Sequence, residues 1–285
     1  MQRVTSATDL PRTALATPRL IATDLDGTLL RGDKTVSART VAALSAAEDA
    51  GIEVFFVTGR PARWMSVVAE HTARHGMAIV ANGAAVYDLH RDRLLAAYPL
   101  DARDAMRVLE ILRAAVPGTT FAIERTGGFA YEPAYVPYEP DAEALIAPME
   151  ELLGTPPGHQ PLLKLLAKHP DIDPDLFLDT ARAVAGTYAE ITRSSPSALL
   201  EVSGSGVSKA TTLARCCAER GISAAEVVAF GDMPNDLEML SWAGRSYAVA
   251  NAHPDVLAAT THRTAANEDD GVARAIERIL AGAGA

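Results

Sequence analysis

Short apolar runs alternate with amphipathic segments in the first and last thirds of the chain. RLIATDL (19–25), IEVFFVT (52–58) and MAIVAN (77–82) have the composition of buried parallel strands, and helical patterns separate them. Ser37 is placed to cap the first of these helices and Gly51 to end it. Strands joined by helices through short links predict right-handed crossovers and a doubly wound parallel sheet.

The pattern changes after Gly83. A hairpin pattern at 85–98, short strands and a proline-rich stretch at 133–161 are typical of α+β structure. The alternation of strand and helix resumes with ALLEVS (198–203). The pattern therefore predicts an α/β core interrupted by an inserted α+β cap. We place the boundaries as follows: a loose N-terminal leader at 1–18, the core at 19–83 and 196–285, and the cap at 84–195.

Composition narrows the range of partners. The 285 residues carry a formal net charge of −10, which disfavours nucleic acid and anionic membrane surfaces as partners. The sequence has no apolar stretch near the roughly 20 residues that span a bilayer. The two cysteines, Cys216 and Cys217, are adjacent in a helical pattern, where a disulfide between them is unfavourable. Because the cysteines do not indicate a disulfide, we expect a cytoplasmic protein. We also expect a monomer or homodimer.

Polar or acidic residues follow each predicted core strand. Ligands of open α/β sheets bind at the carboxyl ends of the strands, so these residues are candidates for a common site. They are Asp24 and Asp26 after the first strand, Thr58, Gly59 and Arg60 after the second, Asn82 after the third, and Asp232, Asn235 and Asp236 after the strand at 226–230. Lys209 stands at the start of the helix that follows 198–203.

Four aspartates at neighbouring strand ends would concentrate negative charge, which is unfavourable unless a cation binds. Mg²⁺ prefers carboxylate oxygens, water and substrate phosphate as ligands. A metal-bound Asp24 could attack phosphorus with its other oxygen, and Asp26 could serve as general acid and then as general base. Thr58 offers a hydroxyl and the neighbouring Gly59 N–H to a phosphoryl group, and Lys209 offers positive charge.

Each of these motifs has an ordinary structural interpretation when it is taken alone. D-L-D-G-T is often a turn, T-G-R marks a strand end, and a single lysine near a helix start usually faces solvent. Their occurrence together, in order and each at a strand end, favours a phosphoryl-transfer site. Arg60 remains open between the substrate, the cap and the surface.

With these motifs, the sequence resembles the haloacid dehalogenase superfamily, and within it the Cof-type phosphatases with a class II, IIB-like cap. The resemblance covers roughly residues 19–280. It depends on four ordered motifs: DLDGTL (24–29), Thr58 in VTGR, Lys209 in GVSKATTL, and GDMPNDLEML (231–240). The fold that it implies is a Rossmannoid core with an inserted α+β cap.

The resemblance also implies a role for each matching residue. Asp24 would be the nucleophile and a Mg²⁺ ligand, and Asp26 the acid/base with its backbone carbonyl as a second ligand. Asp232 would be the third protein ligand, supported by Asp236 from behind. Thr58, Gly59, Lys209 and Asn235 would contact the phosphoryl group, with Asn235 either touching its oxygens or orienting Lys209.

These features predict a Mg²⁺-dependent phosphatase that hydrolyses a small phosphorylated metabolite, such as a sugar phosphate or a phosphorylated cofactor. A phosphomutase on the same scaffold is an alternative. A phospho-aspartate signalling domain is another, although such a domain needs neither Asp26 nor a long insertion. The cap would act as a lid. Its polar candidates, each more often surface or structural in role, are Glu124, Arg125, Tyr131, Glu132, Tyr135, Lys164 and His169.

Overall fold

The structure is a computed structural model that describes residues 18–69, 76–138, 141–154 and 160–282. The predicted leader, 1–18, lies almost wholly outside the described residues. The strands are β1 (Leu20–Thr23), β2 (Glu53–Val57), β3 (Met77–Val80), β4 (Ala85–Asp88), β5 (Arg93–Ala97), β6 (Thr120–Arg125), β7 (Gly128–Tyr131), β8 (Leu145–Ile146), β9 (Leu162–Lys168), β10 (Glu190–Thr192), β11 (Leu199–Ser203), β12 (Val227–Gly231), β13 (Arg245–Ala248) and β14 (His262–Arg263). The helices are α1 (Ala38–Asp49), α2 (Ser66–Ala69), α3 (Ala102–Ala115), α4 (Met149–Gly154), α5 (Pro174–Ala185), α6 (Lys209–Glu219), α7 (Leu237–Trp242), α8 (Pro254–Ala259) and α9 (Gly271–Leu280).

The larger sheet has eight strands in the order β14-β13-β12-β1-β2-β3-β4-β5. Its first six strands are parallel, and β4 and β5 add an antiparallel hairpin at one edge. This confirms the predicted α/β sheet. In the register of β1 with β12, Thr23 lies opposite Phe230, so Asp24 and Gly231 come next at the same edge. The four strands β12, β1, β2 and β3 therefore end side by side.

The smaller sheet has six strands in the order β10-β11-β9-β6-β7-β8 and is antiparallel except for the pair β7 and β8. Its apolar face packs against α3, α4 and α5 in a separate hydrophobic cluster that includes Phe121, Leu165 and Phe177. Two sheets with separate clusters match the predicted combination of an α/β core and an α+β cap. We call the six-stranded sheet with its helices the cap.

Two segments lie in a different sheet from the one that the sequence predicted. The β4–β5 hairpin, placed by sequence in the cap, extends the eight-stranded sheet beyond β3. Conversely β11, placed by sequence in the core, pairs with β9 in the cap. Apolar runs such as LLEVS suit either sheet, because a strand's sequence does not identify its partner. The predicted boundaries at residues 84 and 196 therefore do not coincide with the sheets.

Local sequence fixes the start of α6, which carries Lys209. Ser208 is the N-cap: its side chain accepts a hydrogen bond from Thr211 N, and Ser208 N donates one to Thr211 Oγ1. Such reciprocal capping holds the first turn of a helix in place. Ser37 caps α1, as predicted, because its side chain accepts a hydrogen bond from Thr40 N at 3.0 Å. Among the described residues, no helix has the length and apolar character to cross a membrane.

Gly83 allows the loop after β3 to contact the start of α6. Its φ is +101°, and an added Cβ would lie 2.2 Å from the Ser208 carbonyl oxygen. Gly206 also has a positive φ, +68°, but a Cβ there would meet open space.

We expect Gly83→Ala to lower the free energy of unfolding by about 2–5 kcal/mol, because left-handed strain and overpacking add together. The matched control Gly206→Ala has strain alone and should lose about 1–2 kcal/mol. Urea unfolding of both variants measures the difference. Equal losses would show that the contact between Gly83 and Ser208 does not hold the loop in place.

Candidate active site

A buried lysine joins two of the predicted aspartates. Lys209 Nζ donates to Asp24 Oδ1 at 2.6 Å and to Asp236 Oδ1 at 2.7 Å, and its side chain is 1% exposed. Burial alone would lower the pKa of Lys209, but Asp236 and Asp24 outweigh it, so the pKa is raised and the ammonium stays charged. The structure thus brings together residues from the end of β1, the start of α6 and the loop after β12.

Three buried carboxylates surround this ammonium. Asp24, Asp232 and Asp236 each offer an oxygen within 4.8 Å of the others. Asp232 Oδ1 accepts a hydrogen bond from Thr28 Oγ1 at 2.8 Å. Gly27 is required beside it, because a Cβ there would lie 2.3 Å from Asp232 Oδ2. Three carboxylates and one ammonium leave an excess of buried negative charge.

This excess changes the acidity of the site. Burial raises the pKa of Asp24 well above its ordinary value, and the charges of Asp236 and Asp232 add to the increase, although Lys209 opposes it. Burial, followed by the charge of Asp236, raises the pKa of Asp232 to about 7. Carboxylates in this state are stabilised by a bound cation.

The donor set fits a hard divalent ion such as Mg²⁺. Asp236 already uses Oδ1 for Lys209, and its Oδ2 accepts from the backbone N–H groups of Asp232 and Met233. Asp24 and Asp232 are therefore the side chains that would hold the metal, with Asp236 supporting them from behind. The resemblance implies the same roles for these three residues. Their roles, like the ligand role of the Asp26 carbonyl, stay predictions.

The side chain of Asp26 pairs with two cations and is not part of that cluster. Arg60 binds it through two parallel hydrogen bonds, Nε to Oδ2 at 2.5 Å and Nη2 to Oδ1 at 2.7 Å, and Lys34 Nζ donates to Oδ1 at 2.8 Å. Burial raises the pKa of Asp26, but the hydrogen bonds from Arg60 and Lys34 outweigh it, so the pKa is lowered. Asp26 is therefore ionised at neutral pH. The open question about Arg60 is answered in part, because it faces Asp26 in the cleft.

Thr58 is buried, and its Oγ1 accepts a hydrogen bond from Arg60 N at 3.0 Å. Thr58 and Gly59 line the same cleft as Asp24, Asp26 and Asp232. Asn235 also lines it, and its Nδ2 donates to Asn82 Oδ1 at 3.0 Å. The structure thus gathers all the predicted site residues around one cleft, with Lys209 and Asp236 directly behind its floor.

The cleft has a volume of about 1060 Å³ and lies between the carboxyl edge of the larger sheet and the cap. Apolar cap side chains form part of its wall, namely Phe129, Leu166 and Leu199. Of the seven polar cap candidates, Glu124, Tyr135 and Lys164 line the cleft. Arg63 of the core pairs with Glu124, and burial raises the pKa of that carboxyl despite the pairing.

Sequence reasoning missed Glu201 and Lys34, and it gave Asn82 no role. Glu201 and Lys164 are charged residues inside the apolar strands β11 and β9, and such residues are rarely buried without a partner. A charged residue within an apolar strand is visible in the sequence, so this pattern could have identified both Glu201 and Lys164. No comparable signal marks Lys34, which lies on an exposed turn eight residues after Asp26.

Residues 21–276 match the family described as haloacid dehalogenase-like hydrolase. The chain belongs to this family of enzymes. Two relatives from the same family are 28% identical to it. One is the 5-amino-6-(5-phospho-D-ribitylamino)uracil phosphatase YitU of Bacillus subtilis, aligned over 92% of this chain and 98% of its own. The other is the pyridoxal phosphate phosphatase YbhA of Escherichia coli, aligned over 91% of this chain and 98% of its own.

The fold of this haloacid dehalogenase-like hydrolase is similar to that of the HAD subclass IIB sugar phosphatase BT4131. The TM-score is 0.75 at 20% sequence identity, and the match covers 91% of this chain and 98% of the other. This likeness confirms the predicted core with an inserted cap.

The raised pKa of Asp232 predicts a stability change in the absence of metal. Because its folded pKa of about 7 exceeds the ordinary value of 3.8, the stabilisation by protonation is complete below about pH 4 and is lost as the pH rises through about 7. In EDTA at pH 8, Asp232→Asn should raise the unfolding temperature by several degrees, and at pH 5 by much less.

Asp236→Asn is the matched control for that measurement. It removes a charge that neutralises buried Lys209, so we expect it to lower the unfolding temperature at pH 8. Thermal unfolding followed by circular dichroism distinguishes the two variants. A loss of stability in both would mean that Asp232 carries no electrostatic cost.

Proposed function

We propose that this hydrolase is a Mg²⁺-dependent phosphatase that acts on small phosphorylated metabolites through an aspartyl-phosphate on Asp24. The observation that carries the proposal is the contact of Lys209 Nζ with Asp24 Oδ1, 2.6 Å, inside a group of three buried carboxylates. One carboxylate is thereby held beside a fixed positive charge, at the edge of a cleft where a phosphate ester can enter. Magnesium, when bound by Asp24 and Asp232, supplies further positive charge for the phosphoryl oxygens.

In the first step, an oxygen of Asp24 attacks phosphorus and the bond from phosphorus to the ester oxygen breaks. Lys209 neutralises the charge that develops, while Thr58 Oγ1–H and Gly59 N–H donate to phosphoryl oxygens. Protonated Asp26 gives its proton to the departing alkoxide. In the second step, Asp26 takes a proton from water, water oxygen bonds to phosphorus, and the bond to Asp24 breaks, which releases phosphate.

The resting state suits the base role of Asp26, because Arg60 and Lys34 keep it ionised. For the acid role, the arriving phosphate ester must draw these cations toward itself. Both cations line the cleft and carry charge opposite to that of the substrate. Substrate binding would then raise the pKa of Asp26, which takes up a proton from solvent before the first step and returns one to solvent after phosphate leaves and the cations pair with it again.

The size and lining of the cleft support a small substrate. Pockets for small molecules commonly have volumes of about 300–1000 Å³, and this cleft has about 1060 Å³. The named activities of the relatives, on a phosphorylated ribitylaminouracil and on pyridoxal phosphate, support a phosphorylated cofactor or cofactor precursor. The name of the similar structure supports a sugar phosphate.

Asp24→Asn should abolish release of phosphate, because an amide is a far weaker nucleophile than a carboxylate. The assay uses a panel of phosphorylated metabolites with Mg²⁺ and with EDTA. Asp171→Asn, an exposed aspartate on the cap, should retain wild-type rates. Phosphatase activity that persists in Asp24→Asn would refute the nucleophile, and isomerised product from a bisphosphate-primed assay would favour the phosphomutase.

Asp26→Asn tests the role of Asp26 as the general acid. For an alkyl phosphate, kcat/KM should fall by about 10²–10⁴, because an alkoxide leaves slowly without a proton. For p-nitrophenyl phosphate, whose leaving group needs no proton, kcat/KM should fall far less. Initial rates with the two substrates give the comparison, and equal decreases would remove Asp26 from the protonation step.

A further inference from the structure

A buried ion pair in the cap touches the phosphate side of the core. Lys164 lies on β9 and Glu201 on the neighbouring strand β11, with Lys164 Nζ 2.6 Å from Glu201 Oε1. Both side chains are 5% exposed. A buried pair of this kind does little for stability by itself, because removing two charges from water offsets their attraction. Stability alone therefore does not account for the pair of Lys164 and Glu201, and its contacts with the core bear on its role.

Both members of the pair reach across to the ends of core strands. Lys164 Nζ donates to the carbonyl oxygen of Gly59 at 2.7 Å, directly beside Thr58. Glu201 Oε2 accepts a hydrogen bond from Asn82 Nδ2 at 2.7 Å. A Cβ at Gly59 would lie 3.2 Å from Glu201 Oε1, so glycine lets the carboxylate approach this closely.

The charge of Glu201 fixes the direction of the next two hydrogen bonds. Burial raises its pKa, but Lys164 and the hydrogen bonds from Lys164, Asn82 and Ser194 outweigh burial, so the pKa is lowered and the group is ionised. A carboxylate only accepts, so Asn82 must present its NH₂ to Glu201 and its Oδ1 to Asn235. Asn235 must then donate through Nδ2, as observed at 3.0 Å.

This direction decides what Asn235 presents to the cleft. Its Oδ1 is buried and accepts no hydrogen bond from any described residue. One Nδ2 hydrogen is used for Asn82, which leaves a second N–H and the Oδ1 acceptor. If the chain of amides were reversed, Asn235 would present a different set of groups. Glu201 of the cap therefore determines the orientation of the Asn235 amide in the core.

The backbone of Asn82 also needs this support. Its φ and ψ are 56° and 34°, in the left-handed region, and Ala81 before it has a φ of 51°. Two successive non-glycine residues in this region are costly unless their surroundings hold them. Asn82 N donates to the Thr58 carbonyl oxygen at 3.0 Å, so the strained loop is joined directly to the phosphate-binding loop.

We propose that Lys164 and Glu201 are positioning residues, which complete the phosphoryl-binding side of the site when the cap covers the cleft. Lys164 holds the Thr58–Gly59 loop through its carbonyl, and Glu201 orients Asn82 and, through it, Asn235. This role rests on the phosphatase activity proposed above. Opening of the cap removes both contacts at once and leaves the core residues without their alignment.

Glu201→Gln tests the proposal with almost no change in shape. Glutamine has an N–H₂ that can donate to Asn82 Oδ1, so the direction of the two amides is no longer fixed. With p-nitrophenyl phosphate and saturating Mg²⁺, we expect kcat to fall about 10- to 100-fold, as for other partners that orient reacting groups. KM should change less than about 3-fold, because neither Glu201 nor Lys164 is assigned a contact with the leaving group.

Glu132→Gln is the matched control. Glu132 is also a buried cap carboxylate, paired with Arg113 and bonded to Phe121 N, but it does not line the cleft. We expect its unfolding temperature to fall at least as much as that of Glu201→Gln, with kcat unchanged. A purely structural role for Glu201 predicts equal kcat values in the two variants, and that result would overturn the proposal.

Lys164→Met and the double variant Lys164→Met/Glu201→Gln test whether the pair acts as a unit. If it does, the double variant should lose about as much kcat as either single variant. Multiplied losses would show two independent roles and contradict the proposal. Lys164→Arg, which keeps the charge and a donor, should recover part of the loss.

Side-chain amide NMR gives a measurement that needs no turnover. In the full-length protein, Glu201→Gln should shift the Nδ2 resonances of both Asn82 and Asn235, whereas Glu132→Gln should leave them in place. Asn82→Ala and Asn235→Ala assign the two pairs of signals. Unshifted signals would overturn the orientation mechanism even if the phosphatase activity is found. Shifted signals in a protein without that activity would retain the mechanism and refute the proposed function instead.

Discussion

The buried ammonium of Lys209 is the interaction on which the rest of the site depends. A charge with 1% of its side chain exposed is tolerable only with close partners, and Asp24 and Asp236 supply them at 2.6 and 2.7 Å. These three residues come from β1, from the first residue of α6 and from the loop after β12. The charges can meet only if β1 and β12 pair in the correct register and α6 begins at its N-cap residue, Ser208. The same contact leaves carboxylates in excess, and the proposed Mg²⁺ would neutralise this charge.

Two kinds of cationic side chain lie in the cleft or directly behind its floor, and their exposure separates their roles. Lys209 and Lys164 are almost fully buried and are fixed by carboxylates. Lys34, Arg63 and Arg60 are more accessible, with 57%, 32% and 14% of their side chains exposed, so they can change partners when an anion arrives. In a protein with a net charge of −10, this local concentration of cations gives an anionic substrate a preferred destination. If the cap closes as the sequence predicts, the exclusion of water would strengthen all of these interactions.

The sequence predicted the α/β sheet and the inserted cap from the order of its strand and helix patterns. It predicted the gathering of Asp24, Asp232 and Asp236 because strand ends of one parallel sheet must meet at one edge. Lys209 follows a cap strand instead, and its place in the site was predicted from its motif. It did not predict which sheet β11 joins, since an apolar run fits a parallel or an antiparallel neighbour equally well. Glu201 was missed for that reason, because its strand was placed in the core. The pairing of Asp26 with Arg60 and Lys34 depends on side-chain directions in turns, which spacing along the chain does not determine.

The position of Glu201 on a cap strand gives a physical reason for the core and the cap to act together. Hydrogen bonds between amides have no inherent direction, so Asn82 and Asn235 could point either way within the core alone. A carboxylate at one end removes this freedom, because it only accepts. The core cannot easily supply that carboxylate itself, since another acid beside Asp24 and Asp232 would raise pKa values that are already high. Placing it in the cap, neutralised by Lys164, gives the direction without the added charge. Under this proposal, the cap contributes to the alignment of the reacting groups, in addition to the predicted choice of substrate.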